Sequence, residues 1–207
     1  MKVLLVNGSP HESGCTAAAL REMETVFARE GVQTERFWIG RAALGGCTGC
    51  GACRKLGRCV TDDAVNAFVK KAAEADAFVF GSPVHYAAAS GNMTAFLDRA
   101  FYSAPSGTFR YKPAAVVVSA RRAGTTAAYE QLVKYPGIAE MPIISSCYWN
   151  MVHGGSPEDV AKDEEGLQTM RVLARNMTYY LRCIEAGRAA GVKLPEQEKR
   201  LWTNFIR

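Results

Sequence analysis

The sequence predicts an α/β protein: a five-stranded parallel sheet, strand order 2-1-3-4-5, covered by helices on both faces as a three-layer sandwich. Three observations carry this prediction. Short unbroken apolar runs such as Val3-Leu4-Leu5-Val6 read as strands buried on both faces. Helical-period stretches alternate with them, and the runs at 3–6 and 77–80 end in Asn-Gly and Gly-Ser-Pro. The 207 residues, 48% of them hydrophobic, suffice for one well-filled core, so a single domain over 1–207 is expected.

The elements follow in order. After the first strand, 16–29 is helical, with Leu20, Met23, Val26 and Phe27 on one stripe and Gly31 as its stop. Residues 34–39 read as a second strand. Asp62 or Asp63 caps a helix that turns Val65, Phe68 and Val69 inward. A third strand, 77–80, is stopped by Gly81-Ser82-Pro83, and 93–101 is helical with Met93, Phe96, Leu97 and Phe101 on one side. Residues 114–119 form the fourth strand, and a helix covers 125–133. The fifth strand is expected at 141–145. Ser156-Pro157-Glu158 opens a last helix expected to run to Ala186, with Gly166 a weak point and Gly187 its stop.

The net charge of +5, from 25 Lys and Arg against 20 Asp and Glu, contains no run of five like charges, so no nucleic-acid partner is expected. "MKVLLVNGSP" is too short for a signal-peptide core or a membrane span. A cytoplasmic protein with reduced thiols and no membrane partner is the expectation.

"NGSPHESGCT" joins the first strand to the first helix, where free N–H groups and the helix dipole favour an anion. Ser9, Ser13 and Thr16 add hydroxyls, and His11 is the one potential cation. The fingerprint G-x-G-x-x-G fails at Pro10. The P-loop fails as well, since Gly8 and Gly14 are one residue too far apart and Cys15 stands where Lys is required. A hydroxyl-rich loop with little fixed charge suits a phosphomonoester such as that of FMN; an ordinary helix start is the alternative. "GSPVHYAAASGNMTAFLDR" and "SARRAGTT" leave the ends of the third and fourth strands, where open α/β sheets bind ligands. Pro83-Val84-His85-Tyr86 offers backbone amides and an aromatic ring to a flat, hydrogen-bonding ligand such as isoalloxazine.

On "GSPHESGCT", "SPVHYAAASGNMTAFLDR" and "AAVVVSARRAGTT", the chain resembles the flavodoxin-like NAD(P)H-dependent FMN reductases across most of residues 1–130. The resemblance implies a flavodoxin-like fold, FMN, and NADH or NADPH as co-substrate. It places Ser9, His11, Ser13, Gly14, Cys15 and Thr16 at the phosphate. Pro83, Val84, His85, Tyr86 and Ala87, with Ser119, Ala120, Arg121 and Gly124, would cradle the ring. His11 departs from the Arg that the family often carries, which weakens the charge on the phosphate but leaves the loop pattern intact.

"GGCTGCGACRKLGRC" places Cys47, Cys50, Cys53 and Cys59 within thirteen residues, among five glycines and three cations. C-x2-C-x2-C-x5-C is a compact tetrathiolate spacing, and Arg54, Lys55 and Arg58 would offset the charge of a cluster held by four thiolates. Spacing and fold together resemble the iron–sulfur flavoproteins, a branch of the same family, which implies a [4Fe–4S] cluster beside FMN. Zinc, a redox pair at Cys50 and Cys53, and a metal-free loop stand as alternatives.

Tyr86 is expected against the flavin ring; for His85 a proton-donor role and a solvated side chain stand equally. One of Arg121 and Arg122 would meet the reduced ring or a nicotinamide phosphate; a solvated pair is the alternative. The aromatic 147–155 segment would cover a neighbouring subunit's flavin in a homodimer or homotetramer, with packing against the core as the plainer reading. The cofactor carries the chemistry, so no side chain is assigned as acid, base or nucleophile. The expected activity is reductase chemistry between small-molecule or protein electron donors and acceptors. The competing reading is a flavodoxin-like electron carrier without its own substrate, against which the basic pI near 8.8 argues.

Overall fold

The first strand explains the sandwich. Val3, Leu4, Leu5 and Val6 have no exposed surface. Because strand side chains alternate, Leu4 and Val6 enter one core and Val3 and Leu5 another. A strand with both faces apolar must be covered twice.

The computed structural model describes residues 1–203 and Phe205. In chain order the elements are β1 (Lys2–Asn7), α1 (Cys15–Arg29), β2 (Gln33–Trp38), α2 (Cys53–Leu56), α3 (Ala64–Ala73), β3 (Ala77–His85) and β4 (Ala88–Ala89). They continue with α4 (Gly91–Ser103), β5 (Ala114–Ala120), α5 (Thr125–Ile138), β6 (Met151–His153), α6 (Pro157–Val160) and α7 (Glu164–Ala189). The sheet order is β2-β1-β3-β5-β6, all parallel, with β4 pairing antiparallel to β3. Counting the five parallel strands alone, this is the expected 2-1-3-4-5. No described helix is long and apolar enough to cross a membrane.

One core holds Leu4, Val6, Phe78, Phe80 and Val116 under α3, α4 and α5. Phe68 of α3 is its hub, with ring centroids 5.0 Å from Phe96 and 5.5 Å from Phe37. The other core sets Leu20, Met23 and Phe27 of α1 against Met170, Leu173 and Met177 of α7, over Val3, Leu5, Val79 and Val117.

Four expectations need correction. The fifth strand does not lie at 141–145. Pro142 has no N–H to give, so that run makes only an isolated bridge, Ala114 to Ile143. The edge re-forms at Met151–His153, after a loop that leaves Tyr148 and Trp149 half-exposed. The last helix is broken near 161–163 rather than continuous, because Asp163 serves as a second cap. Its carboxylate accepts from the Gly166 N–H at 3.0 Å and from the His153 N–H at 2.6 Å, tying the helix start to β6. A side chain at 166 would overlap that carboxylate, so the glycine belongs to the cap. Gly187 does not stop α7, which runs to Ala189. Finally, β3 continues through Gly81-Ser82-Pro83 to His85, since β4 folds back on it as a hairpin.

Phe68→Ala should cost about 3–5 kcal/mol, the usual range for emptying an aromatic site in a packed core. Urea unfolding should show a lower midpoint at unchanged slope; an unmoved midpoint would remove Phe68 from the centre of this core.

Candidate functional site

The loop after β1 is built on Asn7, which is fully buried. Its Oδ1 accepts from the Ser9 N–H at 3.1 Å, and its Nδ2 donates to the Glu12 carbonyl at 3.0 Å. Ser9 Oγ accepts from the His11 N–H at 3.1 Å, and Trp38 Nε1 donates to the Ser9 carbonyl at 2.8 Å. The loop therefore delivers the chain to α1 with little freedom. Gly14 stands at the helix cap without a side-chain hydrogen bond, so the first-turn N–H groups remain for an outside acceptor. Thr16, buried at that turn, shares a 2.8 Å hydroxyl contact with buried Ser119 at the end of β5.

The loop after β3 closes as a two-residue turn. His85 pairs with Ala88, and Tyr86 and Ala87 between them have φ of +49° and +59°. Positive φ at both central positions matches a type I′ hairpin, normally the place of Asn and Gly. Gly124, at φ +93°, packs against this turn so closely that a Cβ would sit 2.6 Å from Ala87 Cα. The strained turn is thus clamped by the next loop. The Tyr86 side chain is fully exposed.

Ten of the residues expected at the flavin line one pocket of about 150 Å³: Ser9, His11, Cys15, Thr16, Pro83, Val84, His85, Ser119, Ala120 and Arg121. Ser13, Gly14, Tyr86, Ala87 and Gly124 do not line it; Gly124 and Ala87 support its rim from behind. Gly154 completes the wall and was missed by sequence reasoning. Its carbonyl accepts from Cys15 Sγ at 3.5 Å, and a Cβ there would meet the Val160 amide at 2.7 Å. The Gly154-Gly155 pair after an apolar strand was the available signal. Burial pushes the Cys15 thiol above its ordinary pKa, so it stays protonated in this wall.

Elsewhere, Cys47, Cys50, Cys53 and Cys59 all line one recess, together with Arg99, Tyr102 and Ser103 of α4. Gly49, Gly51 and Gly57 turn the chain there at positive φ. Asn66 of α3 fixes Cys59 on both sides of its peptide, accepting from its N–H and donating to its carbonyl at 3.0 Å each. Arg99 donates through Nε and Nη2 to Cys59 Sγ at 3.3 Å each. Hydrogen bonds that it donates to the Asp63 carboxylate hold its guanidinium pKa above the ordinary value, against burial. Neither Asn66 nor Arg99 was foreseen. Among the described residues, no three His, Cys, Asp or Glu side chains stand together as a ready ion-holding group.

Comparison with known proteins bears on the family and the fold. The family of NADPH-dependent FMN reductases matches residues 1–156. An iron–sulfur flavoprotein of Methanocaldococcus jannaschii is 29% identical over 192 residues, 89% of this chain and 100% of its own. The structure of RosB with bound 8-demethyl-8-formylriboflavin-5'-phosphate superposes with a TM-score of 0.71 at 14% identity, over 100% of this chain and 94% of that one. A flavodoxin from the domain Archaea superposes at 0.59 and 15% identity, over 88% and 99%. The fold is flavodoxin-like.

Asn7→Ala should leave the buried Ser9 amide without its acceptor, at a cost of about 1–3 kcal/mol. Chemical denaturation of the variant would read that loss. A stability equal to that of the parent would mean that the loop holds itself without Asn7.

Proposed function

Because the chain belongs to the NADPH-dependent FMN reductase family, we propose that it is an FMN-dependent oxidoreductase. NADH or NADPH would be the electron donor; Cys47, Cys50, Cys53 and Cys59 would hold a [4Fe–4S] cluster, which would supply a one-electron exit toward an acceptor. The observation that carries the flavin assignment is the uncapped α1 terminus beside buried Ser9 and Thr16, opening into one pocket at the ends of β1, β3 and β5. That donor set fits a phosphate: unclaimed N–H groups, hydroxyls and the positive helix end, with His11 at the edge. Pro83, Val84, His85, Ser119, Ala120 and Arg121 would border the ring.

FMN supplies the hydride acceptance and single-electron release that a junction between a nicotinamide and a one-electron centre requires. The protein's part is to bind and orient. Ser9 and Thr16 hydroxyls hold the phosphate end, and the clamped 85–88 turn keeps the ring-side wall in one conformation. Arg121, exposed at the rim, places a cation where a reduced ring or a nicotinamide phosphate would carry negative charge.

The donor set of the recess fits a cluster in its chemistry: four thiols opening on one recess, with a guanidinium on one of them. Drawing the four sulfurs together around the cluster is part of the proposal. The similarity to a protein named an iron–sulfur flavoprotein supports the same reading.

Replacing Ser9 and Thr16 together by Ala should weaken FMN binding by several kcal/mol, at about 1.5–3 kcal/mol for each hydrogen bond to a charged group. Fluorescence titration of the apoprotein with FMN measures this; undiminished affinity would move the phosphate elsewhere.

Anaerobically purified protein should carry FMN and about four irons per chain and oxidise NADH or NADPH steadily with a quinone. Yellow, iron-free protein after anaerobic reconstitution would sink the cluster. A flavin reduced only by an outside protein donor, without nicotinamide turnover, would instead make the chain an electron carrier.

A further inference from the structure

Arg99 is an unusual residue to find in the interior: it is 3% exposed, on the inner face of α4, and every nitrogen of its fork is engaged. Nη1 and Nη2 meet the two Asp63 oxygens at 2.6 and 3.0 Å. Nη2 also donates to the Thr61 carbonyl at 3.0 Å, and Nη1 to the Gly45 carbonyl at 3.4 Å. Gly45 precedes the first of the four cysteines and Thr61 follows the last. One guanidinium therefore ties the base of the whole cysteine loop and touches the Cys59 sulfur as well. A lysine, a point charge without a planar fork, has no equivalent geometry.

Ser103 lies one helical turn further along α4, on the same face. It is buried, it lines the same recess, and its hydroxyl has no hydrogen-bond partner among the described residues. A buried hydroxyl without a partner is costly. Its place in the wall gives it a use once an acceptor enters the recess. Tyr102, between them in sequence, faces the loop through its carbonyl, which accepts from Cys53 Sγ at 3.8 Å.

We infer that Arg99 and Ser103 are positioning residues of the cysteine centre. Arg99 closes the loop and presents Cys59, and Ser103 donates to a sulfur of whatever the four thiols bind. The inference rests on the four-cysteine ligand set proposed above. Hydrogen bonds to cluster sulfurs stabilise the reduced, more negative state, so they raise the reduction potential. Nothing in this role requires Arg99 or Ser103 to touch the flavin, whose pocket is lined by other residues.

The test uses the full chain, reconstituted anaerobically with iron and sulfide, as parent, Ser103→Ala and Arg99→Gln. Ser103→Ala removes only a hydroxyl that has no partner among the described residues, so the variant should fold and still take up FMN and iron. Its one-electron midpoint, titrated with dithionite, should fall by about 59 mV for a tenfold loss in the reduction equilibrium. Arg99→Gln should release iron to a chelator about 10–100-fold more readily, as supporting residues around metal sites typically do when removed, while FMN stays bound. If Arg99→Gln loses FMN as well, it has failed to fold, and the Ser103→Ala potential decides alone. A parent that takes up no iron would overturn the cluster reading, and this inference with it. A loaded parent whose midpoint is unchanged in Ser103→Ala would overturn this inference alone and leave the cluster standing.

Discussion

Just past the end of β1, the Gly8 N–H donates to the carbonyl of Gly81, midway along β3, at 2.8 Å. Neither position has room for a side chain. A Cβ on Gly8 would stand 2.6 Å from Met93 Sδ, and one on Gly81 2.9 Å from Thr16 Cγ2. This close approach sets the distance between the two loops that wall the pocket. It also fixes α4, because Ser90 donates to the Gly8 carbonyl at 3.0 Å while capping the helix through the Met93 N–H at 3.3 Å. The Ser90 N–H in turn donates to the buried Ser82 hydroxyl at 3.1 Å. Strand ends, pocket loops and the start of α4 are thus one hydrogen-bonded unit, and a side chain at either glycine would force them apart.

From that unit α4 runs to the cysteine recess. Nine residues separate its cap, Ser90, from Arg99, about 14 Å at the helical rise. A helix holds such a spacing far better than a loop. The aromatic core keeps this one in place, with Phe96 packed against Phe68 at 5.0 Å and Phe101 against Phe109 at 4.4 Å. Asn92, in the first turn, reaches back to the loop after β2, donating to the Ala42 carbonyl at 2.9 Å and accepting from the Leu44 N–H at 3.2 Å. One helix therefore organises both candidate sites, the pocket through its cap and the recess through its last turns.

The two sites differ in how they are held. The pocket rests on buried groups: Asn7, Ser9, Thr16, Ser82, Ser90 and Ser119 are all below a tenth exposed. The cysteine loop buries little of itself and is anchored at a few points, by Asn66, Arg99 and Asn92. Segments with few buried contacts open at low free energy, which suits the rearrangement that the proposed cluster would ask of the thiols. The pocket, by contrast, is preorganised, its strained 85–88 turn locked by Gly124.

Much of the fold was legible in the chain itself, because doubly buried strands cannot disguise their apolar runs and the helices between them keep a 3.6-residue stripe. The place of the first pocket loop was legible for a similar reason: which hydroxyls and glycines follow a strand is a local property. The failures were all tertiary. Whether 141–145 pairs along its length depended on β5 beside a proline that cannot donate. The break before α7 depended on Asp163 finding the His153 amide ten residues back. Likewise, "CTGCGAC" announces four thiols, but not that a guanidinium forty residues beyond Cys59 would close the base of their loop. Periodicity and spacing are written along the sequence; a buried charge and its partners are chosen only when distant elements meet in a space too dry to leave either unpaired.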